Sequence, residues 1–349
     1  MTAPAPYEDI KYQRFNESID EQGEFPIAHV SFLPSRILYE MDIEAYKEAY
    51  ADFKEDEYEE LKEVIYNQYP SCIAYNFRLS EKGEGANDPV RKLLHLKDTW
   101  ESIVFVLYAV VLGEVRYKAI NLQAVEIFET IAPNGNPVYK KFNTGTLLSD
   151  AIKTKIKSLI AIIEHSKAST LALKCELIPI ELLQKLLELQ DVRNDISHHA
   201  APTKEEAEDE LKKVVPLFKE MLLLSEFMAD CKILRFESYA VKCKCEEFNG
   251  HALNKEFDDY DFNDSQAYVL TLGQEHLFLK WDTDIFSLSP FLHFERDLVG
   301  RESYLSFFKG KKGGKYWFEP ITKRYEISFD TLQPRFDSEQ IVLFNLIVP

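Results

Sequence analysis

The 349-residue sequence is poor in positive charge, in cysteine and in long apolar runs. Lysine and arginine total 41 against 59 aspartates and glutamates, a formal charge of −18. Such a surface favours solubility and does not by itself attract nucleic acid, so a polyanionic substrate needs a local basic patch or a partner that supplies one. The five cysteines (Cys72, Cys175, Cys231, Cys243 and Cys245) are odd in number and scattered, which excludes a disulfide framework and reads as reduced thiols. The longest apolar run, Ile103 to Gly113, is too short to span a bilayer. The N-terminal MTAPAPYEDIKYQ has no basic stretch followed by an apolar one, so it is no secretory signal. These absences lead to the expectation of a soluble cytoplasmic protein with no membrane partner. G-x-S-x-G and H-E-x-x-H are missing, no cysteine–histidine nucleophile pair stands out, and there is no internal repeat.

What is present supports a substantial core. Hydrophobic residues make up 46% and aromatics 13%, and the length suits two or three domains. Residues 1–69 read as an acidic extension, with a short strand near IAHVSFL and a long helix over Glu40 to Tyr66. Between Glu40 and Glu63 stand eleven acidic residues and three lysines, either a solvated helix face or an arm that docks on a basic partner. NQYPSCIAYNF and GEGANDP break the helical periodicity. A helix restarts with Asp88 as N-cap and Pro89 at its first position. Its apolar residues, from Leu93 to Val111, cover more than half the circumference, which predicts burial between other elements. APNGNP is a loop, and LLSDAIKTKIKSLIAIIEHS is an amphipathic segment. Pro179 opens a further helix, with Ile180, Leu183 and Leu187 near one stripe, which Pro202 stops. Thr203 and Glu206 form a capping-box pattern for the next helix, and Pro216 predicts a kink within it.

Residues 70–232 therefore read as a helical bundle and 233–349 as a β-rich domain, an α+β chain overall. ILRFESYAVKCKCEEF, AYVLTLG, HLFLKW, YLSFFKG and KYWFEPI have the composition of strands. FFKGKKGGKYWF is a hairpin with a lysine- and glycine-rich tip.

The candidate chemistry lies in LQDVRNDISHHAAPT, where Arg193, Asn194, His198 and His199 crowd the end of a helix. On a straight helix, residues five apart point about 140° apart, so Arg193 and His198 share a groove only if the helix ends between them. Arginine binds a phosphodiester through its planar fork and stabilises a pentacoordinate transition state. Histidine takes the 2′-OH proton or protonates the leaving oxygen. The bland alternative is an arginine paired with Asp191 or Asp195 and two surface histidines. Arg193 is the only arginine here with a histidine five or six positions on.

With RNDISH in a helical context, residues 70 to 230 resemble the HEPN superfamily through its Arg-x4–6-His motif. The segments YPSCIAYNFRL and DPVRKLLHLKDTWESIVFVL add to the resemblance. It implies a helical bundle that dimerises and a metal-independent endoribonuclease with no cofactor, of the kind found in bacterial toxin and antiphage defence systems. Arg193 would then hold the phosphate and transition state, His198 would be the acid–base group, and Asn194 the supporting polar group. His199 is the alternative to His198, and Glu101 on the first bundle helix is an auxiliary carboxylate. RNA is the implied substrate, and an antitoxin or a defence-system protein an implied partner. The tyrosine that many antitoxin-paired relatives carry two residues after the histidine is Ala200 here, which puts regulation through such a tyrosine in doubt. From another functional class, the same resemblance allows a catalytically inactive dimerisation or sensor module that binds a partner protein or a ligand.

Elsewhere, Cys243 and Cys245 share one strand face with His251 nearby, but zinc needs four ligands and no second pair exists, so ordinary strand cysteines are expected. The KGKKGGK tip, with Lys311, Lys312 and Lys315, is a solvated turn or a basic finger for an RNA backbone. It lacks the order of a phosphate-binding loop. His276 and His293 sit among aromatic strand residues and read as structural.

Overall fold

Helix α3, Pro89–Tyr117, organises the fold. The computed structural model describes residues 41–197, 202–252, 256–296, 303–323 and 325–347. Within them the chain is α+β, with helices and antiparallel sheets, and it divides into two compact units after Glu63. The expected strand at IAHVSFL lies outside the described residues.

Helix α1, Ile43–Gln68, matches the acidic run, and Glu44, Glu48, Asp52, Glu55, Glu59 and Glu60 are all exposed on it. Water screens their repulsion, and local pairs such as Lys47–Glu44 at 2.7 Å offset part of it.

The second unit runs from Val64. Its first helix, α2 (Ser71–Glu81), departs from the expected break in periodicity. Pro70 ends α1 and starts α2, while Cys72, Ile73, Ala74 and Phe77 form a buried face with the small polar Ser80 beneath it. Helix α3 then begins as its sequence dictates: the Asp88 carboxylate accepts from the backbone N–H groups of Val90 (3.0 Å) and Arg91 (3.3 Å), with Pro89 at the first position. From Ser102 to Val115 every residue of α3 is buried. Helices α2, α4 (Ile152–Ala168), α5 (Ile180–Ser197) and α6 (Lys204–Leu223) all pack against it. The stripe on α5 is Leu182, Leu183, Leu186 and Leu189; Ile180 and Leu187 are only half-buried, so the expected face is rotated. Thr203 and Glu206 form the reciprocal cap of α6, which continues through Pro216.

Two strands, β1 (Glu126–Ile131) and β2 (Pro137–Lys141), pair around the APNGNP loop and were not apparent in the sequence. After α6 come β3 (Cys231–Tyr239), β4 (Cys243–Glu247), β5 (Glu256–Tyr260), helix α7 (Gln266–Leu272), β6 (Leu277–Trp281) and β7 (Asp284–Ser287). These strands form a sheet in the order β5-β4-β3-β6-β7. AYVLTLG is thus the helix α7 and not a strand: it buries Val269 and Leu272, at helical spacing, against the sheet core of Leu234, Cys245 and Phe278. A second sheet, β11-β10-β9-β8, comprises β8 (Leu292–Arg296), β9 (Ser303–Lys312), β10 (Lys315–Pro320) and β11 (Ile327–Ser328). The β9–β10 hairpin turns at Gly313 and Gly314, with φ of 60° and 82°, as the glycine pair predicts. Helix α8 (Gln333–Asn345) closes the chain and seats Phe336 on this sheet.

Helix α3 also packs on β7 and β8, so helices and sheets share one unit. Two neighbouring residues show how closely this end of α3 is packed. Glu114, fully buried, accepts from the backbone N–H groups of Lys174 (2.6 Å) and Cys175 (2.8 Å) and pairs with Lys118 at 2.9 Å. Gly113 lets the helix touch β7: a Cβ there would lie 2.6 Å from the Ser287 carbonyl oxygen. Exchanging glycine for alanine inside a helix ordinarily gains up to about 1 kcal/mol. Here Gly113→Ala is expected to lose about 1–3 kcal/mol through overpacking, read as a lower urea midpoint at unchanged slope.

Candidate functional site

Arg193 and Asn194 lie on the last turns of α5; their side chains, and all of His198 and His199, fall outside the described residues. The helix that carries them is firmly held. The indole N–H of Trp100 donates to the Leu186 carbonyl at 3.1 Å, fixing α5 to α3 about 10 Å along the axis from Arg193.

Glu101, the next residue after Trp100, faces a different space. It lines a cleft of 210 Å³ between α3 and the end of β10, together with His95, Asp98, Glu84, Glu319 and Lys323. Lys97 meets Glu101 at 3.0 Å and Lys309 meets Glu319 at 2.7 Å. Four carboxylates around one small cleft make it a poor seat for a phosphodiester.

The hairpin lysines are each engaged by an acid. Lys311 meets Asp337 at 2.8 Å, Lys312 meets Glu326 at 3.0 Å, and Lys315 meets Asp330 at 2.8 Å. The Lys312 and Lys315 pairs are exposed, and an incoming phosphate can displace them at small cost, whereas Lys311 is half-buried and also meets Gln340.

Cys243 and Cys245 are buried in the sheet core, where burial pushes both thiols up, away from the thiolate that binds metal. The His251 Nδ1 lies 2.8 Å from the Tyr66 carbonyl oxygen. His293 is enclosed by Phe318, Phe329 and Phe336, and burial lowers its pKa despite the carboxylate of Glu295 at 3.1 Å.

Two clusters have no signature in the sequence. In the first, the Glu339 carboxylate on α8 is shared by the His276 Nε2 (2.9 Å), the Ser289 hydroxyl (2.6 Å) and the Arg335 Nε (3.6 Å). Burial favours the neutral acid, but the hydrogen bonds from His276 and Ser289 and the two positive charges prevail and hold it below the usual carboxylate range. The second is Lys155 on α4, 1% exposed, its ammonium stacked 4.4 Å from the Tyr108 ring centre and 5.4 Å from that of Phe105. Only an i,i+4 pair (Arg335, Glu339) hints at the first, and the second lysine sits unremarkably in an amphipathic segment.

Comparison with protein-family models, with curated proteins and with solved structures finds no match.

Burial, reinforced by the charge of Lys309, pushes the Lys155 amine down to about 7 from 10.5, against a smaller opposing effect of Asp150. The unfolded chain therefore binds more protons between those values, and this lysine makes stability rise with pH across that window. Lys155→Met is expected to stabilise the protein at pH 7 by on the order of 4 kcal/mol. Urea unfolding at pH 7 and pH 9.5 should show that advantage shrinking at the higher pH.

Proposed function

We propose that this chain is a metal-independent endoribonuclease of the HEPN type, working as a homodimer in a toxin or antiphage defence system. The observation that carries the reading is Arg193-Asn194-x3-His198 at the end of α5, which pairs with α6 in a bundle built on α3. His198 takes the proton of a ribose 2′-OH, and the freed oxygen attacks the adjacent phosphorus. Arg193 stabilises the negative charge that gathers on the phosphoryl oxygens, and Asn194 orients the pair. The P–O5′ bond breaks, and the leaving oxygen takes a proton from the partner protomer's copy of the same histidine, in a site formed where the two protomers meet. The products are a 2′,3′-cyclic phosphate and a 5′-hydroxyl. Activating the ribose hydroxyl in this way needs no metal ion.

The chain's net charge of −18 and the carboxylates already holding the hairpin lysines favour a second reading, a catalytically silent dimerisation or sensor module. Incubation of RNA with the protein in EDTA separates the two. Wild type should cleave, and Arg193→Ala and His198→Ala should each be slower by about 10²–10⁴-fold. Equal activity in all three proteins sinks the nuclease reading, and no activity in the wild type supports the silent module.

A further inference from the structure

The end of α3, helix α7, strand β7 and helix α8 enclose a groove of 470 Å³. That volume suits a small organic ligand. Its walls are largely apolar: Tyr117, Leu272 and Val342 face the opening, and the Tyr117 and Tyr268 rings stand 4.9 Å apart at 54°. Tyr117 and Val342 are 45% and 49% exposed, so this apolar wall meets solvent in the isolated chain.

The polar groups that face the groove differ in what they have left to offer. Both oxygens of Glu339 are occupied, by His276 and by Ser289. Both nitrogens of His276 are occupied, by the Leu272 carbonyl oxygen at 2.7 Å and by Glu339. Arg116 donates to the carbonyl oxygens of Ser289 (2.5 Å) and Ser287 (3.1 Å), which uses two of its five N–H groups. The Tyr268 hydroxyl accepts from the Ser287 N–H at 3.2 Å, and its own proton meets no acceptor among the described residues. Spare donors therefore include a guanidinium and a phenol side by side, while each Glu339 oxygen, with one hydrogen bond already made, keeps acceptor capacity. Glu339 is already shared with His276 and Arg335, so it compensates the Arg116 charge only in part.

We propose that this groove binds a small carboxylate with a flat apolar body. The carboxylate lies against the free N–H groups of Arg116 and the Tyr268 hydroxyl, and the body packs between Tyr117, Leu272 and Val342. A planar guanidinium matches a carboxylate in shape as well as in charge. The site lies apart from Arg193 and His198 in sequence and stands whether or not the chain cleaves RNA.

Ligand-observed fluorine NMR on the full chain tests it, with 4-fluorobenzoate as the probe and 4-fluorobenzamide as its neutral counterpart. The wild type should bind the benzoate at least about tenfold more tightly than the amide, corresponding to one charge-assisted contact. Tyr268→Phe, which removes one hydroxyl, should weaken the benzoate several-fold. Val342→Trp, at a half-exposed position that tolerates bulk, should fill the groove and abolish binding while thermal unfolding stays as in the wild type. Equal binding of the two probes, no binding to the wild type, or undiminished binding to a folded Val342→Trp protein overturns the proposal. RNA cleavage is not a readout, so the outcome is separate from that of the nuclease reading.

Discussion

Helix α3 is buried around its whole circumference from Ser102 to Val115, and its mostly apolar surface has to be removed from water on every side. No single neighbour can do this. Helices α2, α4, α5 and α6 cover part of the circumference, and strands β7 and β8 cover the rest. The β-rich region is therefore part of the same core as the helices. Gly113 and Glu114 show how tightly α3 is packed, one by leaving space for a strand carbonyl and the other by satisfying two backbone N–H groups of the turn before α5.

Consequences for chemistry follow from this burial. The helix sends different faces to different neighbours, so Trp100 and Glu101, adjacent in sequence, serve unrelated surroundings: one anchors α5, the other lines an acidic cleft. Lys155 is caught under the aromatic residues of α3 with no carboxylate in ion-pair contact among the described residues, at a cost in stability that the rest of the core must offset. At the far end of α3, Arg116 emerges beside β7 and α7 and brings a guanidinium to an apolar groove. The helix that carries Arg193 and the helices that line this groove are thus different elements set around one packing partner.

The elements that could be read in the sequence are those fixed by contacts a few residues long. Asp88 and Pro89 start α3, Thr203 and Glu206 start α6, and two glycines turn the β9–β10 hairpin; each signal acts within one turn of chain. Helices α2 and α7 depart from the local signals, which put a break around Pro70 and a strand at the β-branched, aromatic run AYVLTLG. Their burial against neighbours outweighs local preference. Helix α8 and strands β5, β7, β8 and β11 carried no comparable local signal.

By itself the sequence determined the α+β class, the starts of α3 and α6, a long acidic helix, and the placement of Arg193 and His198 one after the other along the chain. Tertiary structure alone decided that His276, Ser289 and Glu339 meet, since 63 residues separate the imidazole from the carboxylate. It alone decided that Arg116 faces a groove and that Lys155 is buried against the rings of Tyr108 and Phe105. Caps and turns are set by bonds within one turn of backbone, whereas the convergence of distant side chains depends on how whole helices and sheets settle around the apolar axis of α3.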